Sequence, residues 1–143
     1  MWVGRLDKEK GIDAFLHIIH KINFKSEIYI LGNGKEYKKL VNLYKNFKRN
    51  HFIKIKFMRY VKNTQKFYSK SHILINTSHF EGSNNSIIEA FNNNLCVIGS
   101  NSPGGNREII SDSRLGLLYN LNVHLDLLKK INFMKKNYYK IHS

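Results

Sequence analysis

The residues best suited to chemistry lie between Ser78 and Ala90, in the run Ser-His-Phe-Glu-Gly-Ser-Asn-Asn-Ser-Ile-Ile-Glu-Ala. Glu81 and Gly82 are followed by small polar residues, Asn85 and Ser86 among them, of the kind that leave backbone N–H groups open where a helix begins. Such a start accepts an anion, because its first amides have no partner within the helix and the dipole favours negative charge there. Two carboxylates bracket that position, Glu81 in the loop and Glu89 a little over one turn into the helix, spaced Glu-x7-Glu. Periodicity alone reads Glu89 as solvated, since it stands opposite the apolar arc of Ile87, Ala90 and Phe91.

The elements that must position this loop follow from hydrophobic patterning. An apolar run, Ile73 to Thr77, reads as a strand before it, and Ile87, Ile88, Ala90 and Phe91 mark one side of a helix after it. Elsewhere Met1 to Gly4, Ile28 to Leu31, Phe52 to Met58, Cys96 to Ser100 and Leu115 to Tyr119 read as strands. Helices are expected at about 11–20, 36–47, 64–70, 106–111 and from about His124 onward, the first burying Ile12, Phe15, Leu16 and Ile19. Strands and helices that alternate in this way imply a doubly wound α/β fold with a six-stranded, mostly parallel, Rossmann-like sheet. Ligands of such sheets bind beyond the carboxyl ends of the strands. The loops at Gly4-Arg5, Gly32-Asn33-Gly34, Glu81-Gly82 and Ser102 to Gly105 all follow strands, so one site built from these four is expected, although glycine turns also occur where nothing binds.

At 143 residues the chain is sized for a single domain, 1–143. No apolar run reaches the roughly 18 to 20 residues of a membrane helix, and no signal peptide is apparent, so a soluble, cytoplasmic location is expected. Of the 24 basic residues behind a net charge of +14, Lys supplies 19, spread over the whole chain. A nucleic-acid face more often mixes Arg with aromatics in a patch, so the charge reads as a solvated surface that attracts anionic substrates and anionic membrane surfaces. Cys96 stands alone, which leaves no partner for an intrachain disulfide, and the seven His residues lack zinc-binding spacing.

The run Glu-Gly-x-x-Asn-x-Ile-Ile-Glu-Ala, after an apolar strand that ends in Ser, resembles the Glu-x7-Glu signature of retaining GT-B glycosyltransferases of family 4. The resemblance extends in order over almost the whole chain. Val3-Gly4-Arg5-Leu6 with Lys10-Gly11 is similar to the motif whose Arg and Lys contact the donor diphosphate; taken alone, both are better read as solvated loop charges. Leu31-Gly32-Asn33-Gly34 is similar to the glycine loop near the nucleotide, and Ser100 to Ile109, with Gly104 and Gly105, to a later loop that lies against the donor. By this resemblance Glu81 faces the donor hexose and Glu89 holds the ribose. The implied reaction is transfer of a hexose from a UDP-linked sugar to a glycan or lipid-linked acceptor with retention, without cofactor or metal.

The chain also departs from the pattern. Met58-Arg59-Tyr60 stands where a glycine usually follows the strand, so Arg59 is expected to narrow or recharge that edge of the cleft. Asn94 and Cys96 replace a common Gly and Pro, and Asn tolerates the left-handed conformation that stops a helix. The resemblance is to the donor half only. The acceptor half would precede Met1, and the tail from Leu127 is short for the helix that crosses back. A fragment, a truncated product or a subunit that meets a separate acceptor domain are the three expectations. Two other function classes remain: a nucleotide-sugar-binding module that transfers nothing, and, less well supported by motif, a basic nucleic-acid-binding domain.

Overall fold

A computed structural model describes residues 1–46, 50–80, 84–111, 114–123 and 125–143. Strands β1 (Trp2–Val3), β2 (Ser26–Leu31), β3 (Ile53–Phe57), β4 (Ile73–Asn76), β5 (Cys96–Ser100) and β6 (Gly116–Tyr119) alternate with helices α1 (Ile12–Ile19), α2 (Tyr37–Asn46), α3 (Gln65–Tyr68), α4 (Asn85–Asn92), α5 (Gly105–Ser111) and α6 (Asp126–His142). Each expected element is present, most of them within one or two residues of the expected bounds. One more appears, a 3-10 turn at Lys8–Lys10 in the loop that leaves β1. The tail forms a single 17-residue helix that begins at Asp126; His124, where it was expected to start, lies outside the described residues, as does Phe47 at the end of the second expected helix.

All four strand ladders are parallel. They form two three-stranded sheets, β1-β2-β3 and β4-β5-β6. The two sheets meet along β1 and β4, where the Met1 amine donates to Ile73 O (2.6 Å) and Ile75 N–H donates to Met1 O (2.9 Å). Across that seam the order runs β3-β2-β1-β4-β5-β6, which is the doubly wound arrangement the alternation implied.

Alternation along each strand sends side chains to two cores. Trp2, Ile30, Ile75, Cys96 and Ile98 pack with Ile12, Phe15, Leu16 and Ile19 of α1, with Leu40 of α2, and with Leu127, Ile131 and Met134 of α6. Their strand neighbours Leu31, Leu74 and Val97 face the other way, onto Phe67 and Tyr68 of α3, Ile87 and Ala90 of α4 and Ile110 of α5. Every residue of β5 is buried, as a strand covered on both faces requires. At the edge, β3 keeps Lys54 in solvent and pairs Lys56 with Glu27 (2.7 Å), charges that discourage further strand pairing.

The two residues that replace family glycines adopt the glycine conformation. Asn94 has φ 57° and lets Leu95 N–H reach Ala90 O (2.9 Å), so the stop of α4 survives. Arg59 has φ 51°, its carbonyl accepts from Gly32 N–H (2.7 Å), and its exposed guanidinium lies over the Tyr37 ring (4.6 Å). Gly32 itself, at φ 144°, has the Gly4 carbonyl where a Cβ would stand. Gly32→Ala is therefore expected to lower unfolding stability by at least about 2 kcal/mol. Gly105→Ala, where an added Cβ only touches Asn84 Nδ2 at 3.4 Å, is expected to cost less than about 1 kcal/mol. Urea denaturation of both variants tests the contrast, and equal losses would show that the Gly4–Gly32 approach is not tight.

Candidate functional site

The carboxyl ends of β1 and β4 are neighbours at the point where strand order reverses, with the loops after β2 and β5 on either side. The loops after β1 and β2 are zipped by Gly4 N–H to Leu31 O (3.0 Å), Leu6 N–H to Asn33 O (3.0 Å) and Glu36 N–H to Leu6 O (2.9 Å). Gly4, Gly32 and Gly34 thus form one rigid ledge. Arg5 extends from it into solvent, with Asp7 as an ion-pair partner at 3.3 Å; exposed pairs of this kind are weak, which leaves the guanidinium able to exchange partners. The 3-10 turn then carries Lys10 back across the end of β4, where His79 N–H donates to Glu9 O (2.9 Å).

Beneath the loops after β4 and β5 lies a buried polar cluster that sequence reading missed. Asn106 Nδ2 donates to Asn76 Oδ1 (3.1 Å), Ser100 O (3.1 Å) and Ser100 Oγ (3.1 Å), and Asn106 Oδ1 accepts from Asn84 Nδ2 (2.6 Å). Ser100 Oγ donates to Ser78 O (2.5 Å) and sits 3.2 Å from Ser102 Oγ, while Asn76 Oδ1 accepts from Ser78 N–H (3.2 Å). All six side chains are buried. The only hint in the sequence is that polar residues follow directly on the apolar runs of β4 and β5.

This cluster decides what the start of α4 offers. Asn84 occupies the N-cap position but makes no side-chain cap bond, because its amide is committed to Asn106. Its own Oδ1 is buried without a partner among the described residues. Asn84 O takes Ile87 N–H (3.0 Å) and Ile88 N–H (3.1 Å), so the amides ahead of them, at Asn85 and Ser86, are the ones a ligand can meet. Gly104 and Gly105 lie alongside, and a Cβ built on Gly105 would stand 3.4 Å from Asn84 Nδ2. Glu81 and Gly82 lie outside the described residues, between Phe80, which is exposed, and the buried Asn84.

Glu89 is exposed, as periodicity expects, yet it has a protein partner. The phenol of Tyr68, buried at the end of α3, donates to Ser86 O (3.3 Å), and the Glu89 carboxylate lies near enough to act on it electrostatically. Burial first, and the neighbouring Glu89 second, hold that phenol well above its ordinary pKa, so it stays a donor. Tyr68 is a second residue that sequence reading missed, since its apolar neighbours made it look like ordinary core. Glu89 therefore stands exposed on α4 with the Tyr68 phenol as a neighbour.

Volume does not mark this site. A cavity of about 600 Å³ opens at the opposite end of the sheet, where β1 is shorter than β2 and β4, and Phe15, Ile22, Ile28, Ile75 and Ile131 line it. None of the glycine loops enters it. A smaller cavity of about 270 Å³ lies by the site itself, between Asp7, Asp13, Glu36 and His79. Among the described residues no three His, Cys, Asp or Glu converge as metal ligands. Burial pushes the Cys96 thiol up to about 11, which suits an inert core residue. No described helix is long and apolar enough to cross a membrane.

Comparison with known proteins agrees with this geometry. The sequence model of the family described as "Glycosyl transferases group 1" matches residues 1–137. A Campylobacter jejuni alpha-1,4-N-acetyl-D-galactosaminyltransferase that acts on a diphospho-undecaprenol-linked glycan is 27% identical over 138 residues, which is 94% of this chain and 37% of that enzyme. An uncharacterized glycosyltransferase of Methanocaldococcus jannaschii is 32% identical over 112 residues, 76% of this chain and 27% of its own length. Among solved structures, TarM superposes with a TM-score of 0.86 at 22% identity, over 97% of this chain and 28% of that one. Anabaena HepE in complex with UDP and glucose gives 0.82 at 17%, over 98% and 40%. The chain spans between about a quarter and two fifths of the length of these relatives. It belongs to the glycosyl transferases group 1 family and corresponds to a partial, C-terminal-like portion of the GT-B fold.

Proposed function

We propose that this chain is the donor-binding half of a retaining hexosyltransferase, one that takes a UDP-linked sugar and delivers the hexose to a glycan or lipid-linked acceptor. The observation that carries the reading is the open start of α4, set among the glycine loops at the switch point, with Glu89 beside it and Lys10 brought over the end of β4. The relatives support it in kind: HepE was solved with UDP and glucose, and the Campylobacter enzyme transfers to a lipid-linked glycan.

Each group then has a task. The α4 amides and the cations of Arg5 and Lys10 face the diphosphate, which gains negative charge as the bond from the anomeric carbon to the phosphate oxygen breaks. Glu89 accepts from the ribose hydroxyls, and Glu81 orients the hexose. Helix amides and cations together carry the diphosphate charge in this reading, with no cofactor and no metal. The acceptor hydroxyl comes from a second domain across the cleft, and the basic surface favours work beside an anionic membrane.

Three measurements test this reading. Glu89→Gln is expected to weaken UDP binding by about 1 to 3 kcal/mol in titration calorimetry, the range for a hydrogen bond to a charged group, and equal affinities would return Glu89 to a purely solvated role. Arg5→Ala and Lys10→Ala are each expected to weaken UDP far more than uridine, whereas replacing the exposed Lys38 and Lys45 together leaves both nearly unchanged beyond a salt-sensitive part. A uniform response to all four would dismiss the clamp. Lastly, the chain incubated alone with labelled donors and mixed glycan and lipid acceptors is expected to transfer nothing, because in-line placement of the acceptor is worth about 7 to 11 kcal/mol and half a cleft forfeits it. Transfer restored by a separately expressed acceptor domain supports the reading; transfer by the chain alone refutes it, and failure of both favours a module that only binds.

A further inference from the structure

The 3-10 turn that bears Lys10 is tied down by a relay that no motif of this chain announces. Trp2 Nε1–H, on β1, donates to Thr77 Oγ1 at the end of β4 (3.0 Å), and the Thr77 hydroxyl donates in turn to Lys10 O (2.5 Å). Trp2 is 2% exposed and Thr77 1%, so the bond between them is made away from water, where an unmet donor or acceptor is expensive, while the bond to Lys10 O is part-buried. Two further contacts bind the same turn to the same strand end. His79 N–H holds Glu9 O (2.9 Å), and Gly11, at φ 58°, brings its Cα against Thr77 O so closely that a Cβ has no room. Gly11 is also the residue from which α1 starts.

This geometry bears on where the ammonium of Lys10 can go. Lys is a point charge on a four-carbon stem, so its position over an anion depends on where the backbone that carries it is held. The turn itself is only three residues long and buries none of them, hence it has little packing of its own to fix it. Thr77 is the residue that spans from the sheet to that backbone. Taking the reading that Lys10 contacts the donor diphosphate, we infer that Thr77, with its hydroxyl oriented by Trp2, is a positioning residue that holds the Lys10 turn in the phosphate-binding position.

Without the tether the turn samples other positions, and apparent affinity falls by the fraction of time it is out of place. UDP and uridine are the probes, titrated against the full chain and its variants. Thr77→Val, which keeps the branched shape and removes the hydroxyl, is expected to lose about tenfold in UDP affinity while uridine is unchanged, and Thr77→Ser to return to within about threefold of the parent. In a Lys10→Ala background Thr77→Val is expected to add nothing, because the two act on one contact. If Thr77→Val weakens UDP and uridine alike, or acts in full on the Lys10→Ala background, Thr77 is merely structural and the inference falls. Should Lys10→Ala bind UDP like the parent, the diphosphate reading of Lys10 falls and takes the inference with it. A UDP-selective loss in Lys10→Ala with none in Thr77→Val overturns the inference alone. If Thr77→Val does not fold, Trp2→Phe, which removes the donor to Thr77 Oγ1 together with part of the buried ring volume, carries the same comparison, with an expected UDP-selective loss of about threefold against an unchanged uridine affinity.

Discussion

Everything at the carboxyl end of this sheet depends on the seam between β1 and β4. β1 has two residues and makes a short ladder with β2, yet it is the strand on which the two three-stranded sheets join. Backbone bonds from Met1 to Ile73 and Ile75 close the seam at one end, and the indole of Trp2, hydrogen-bonded to Thr77, closes it at the other. The chain winds outward from β1 to β3, then returns past its start to begin β4. Parallel strands force such a crossover, and the reversal leaves neighbouring loops diverging to opposite faces, so that a crevice opens between them. If the seam slipped, the ledge of Gly4 and Gly32 would no longer face the start of α4.

On the β4 and β5 side the loops are held by neutral amides and hydroxyls. Asn76, Asn84, Ser100 and Asn106 bond mainly to one another, which keeps them buried without the desolvation cost that charged groups would carry. Asn106 is central, since one Nδ2 serves β4 and β5 while its Oδ1 holds Asn84. Asn84 Oδ1 has no partner among the described residues, and the first amides of α4 stay free of a cap from the Asn84 side chain. A Ser or Asp that capped its own helix there would fill the place an anion needs.

Charge is distributed differently from the polar cluster. Lys38, Lys45 and Lys54 stand exposed on α2 and on the edge strand, and no described lysine is part of the buried cluster. The cations near the crevice, Arg5 and Lys10, come instead from the loop that leaves β1, and they are held differently. Arg5 is itself exposed and pairs with the half-buried Asp7, whereas the backbone of Lys10 is anchored to Thr77. One is an arm with freedom to move and the other a charge on a fixed mount.

Much of this was legible from residues in order. Alternating apolar runs are local signals with periods of two and 3.6 residues, so strands and helices followed from spacing, down to the burial of Ile12, Phe15, Leu16 and Ile19. Ile88, by contrast, read onto the apolar side of its helix, lies about a third of a turn past Ile87 and stands 47% exposed. The Glu-x7-Glu run and the glycine loops likewise marked which strand ends to examine, and Asn94 was expected to take a left-handed turn because its side chain permits one. Other features depend on pairs far apart in sequence, where no spacing rule applies. Trp2 with Thr77, Asn84 with Asn106 and Tyr68 with Glu89 come from separate elements and read individually as core or loop residues. Glu89 shows the division best: its own helix sets it on the solvent side, but its phenol neighbour Tyr68 arrives from α3. Sequence determines the period of each element, and only the packed sheet decides which buried donor meets which acceptor.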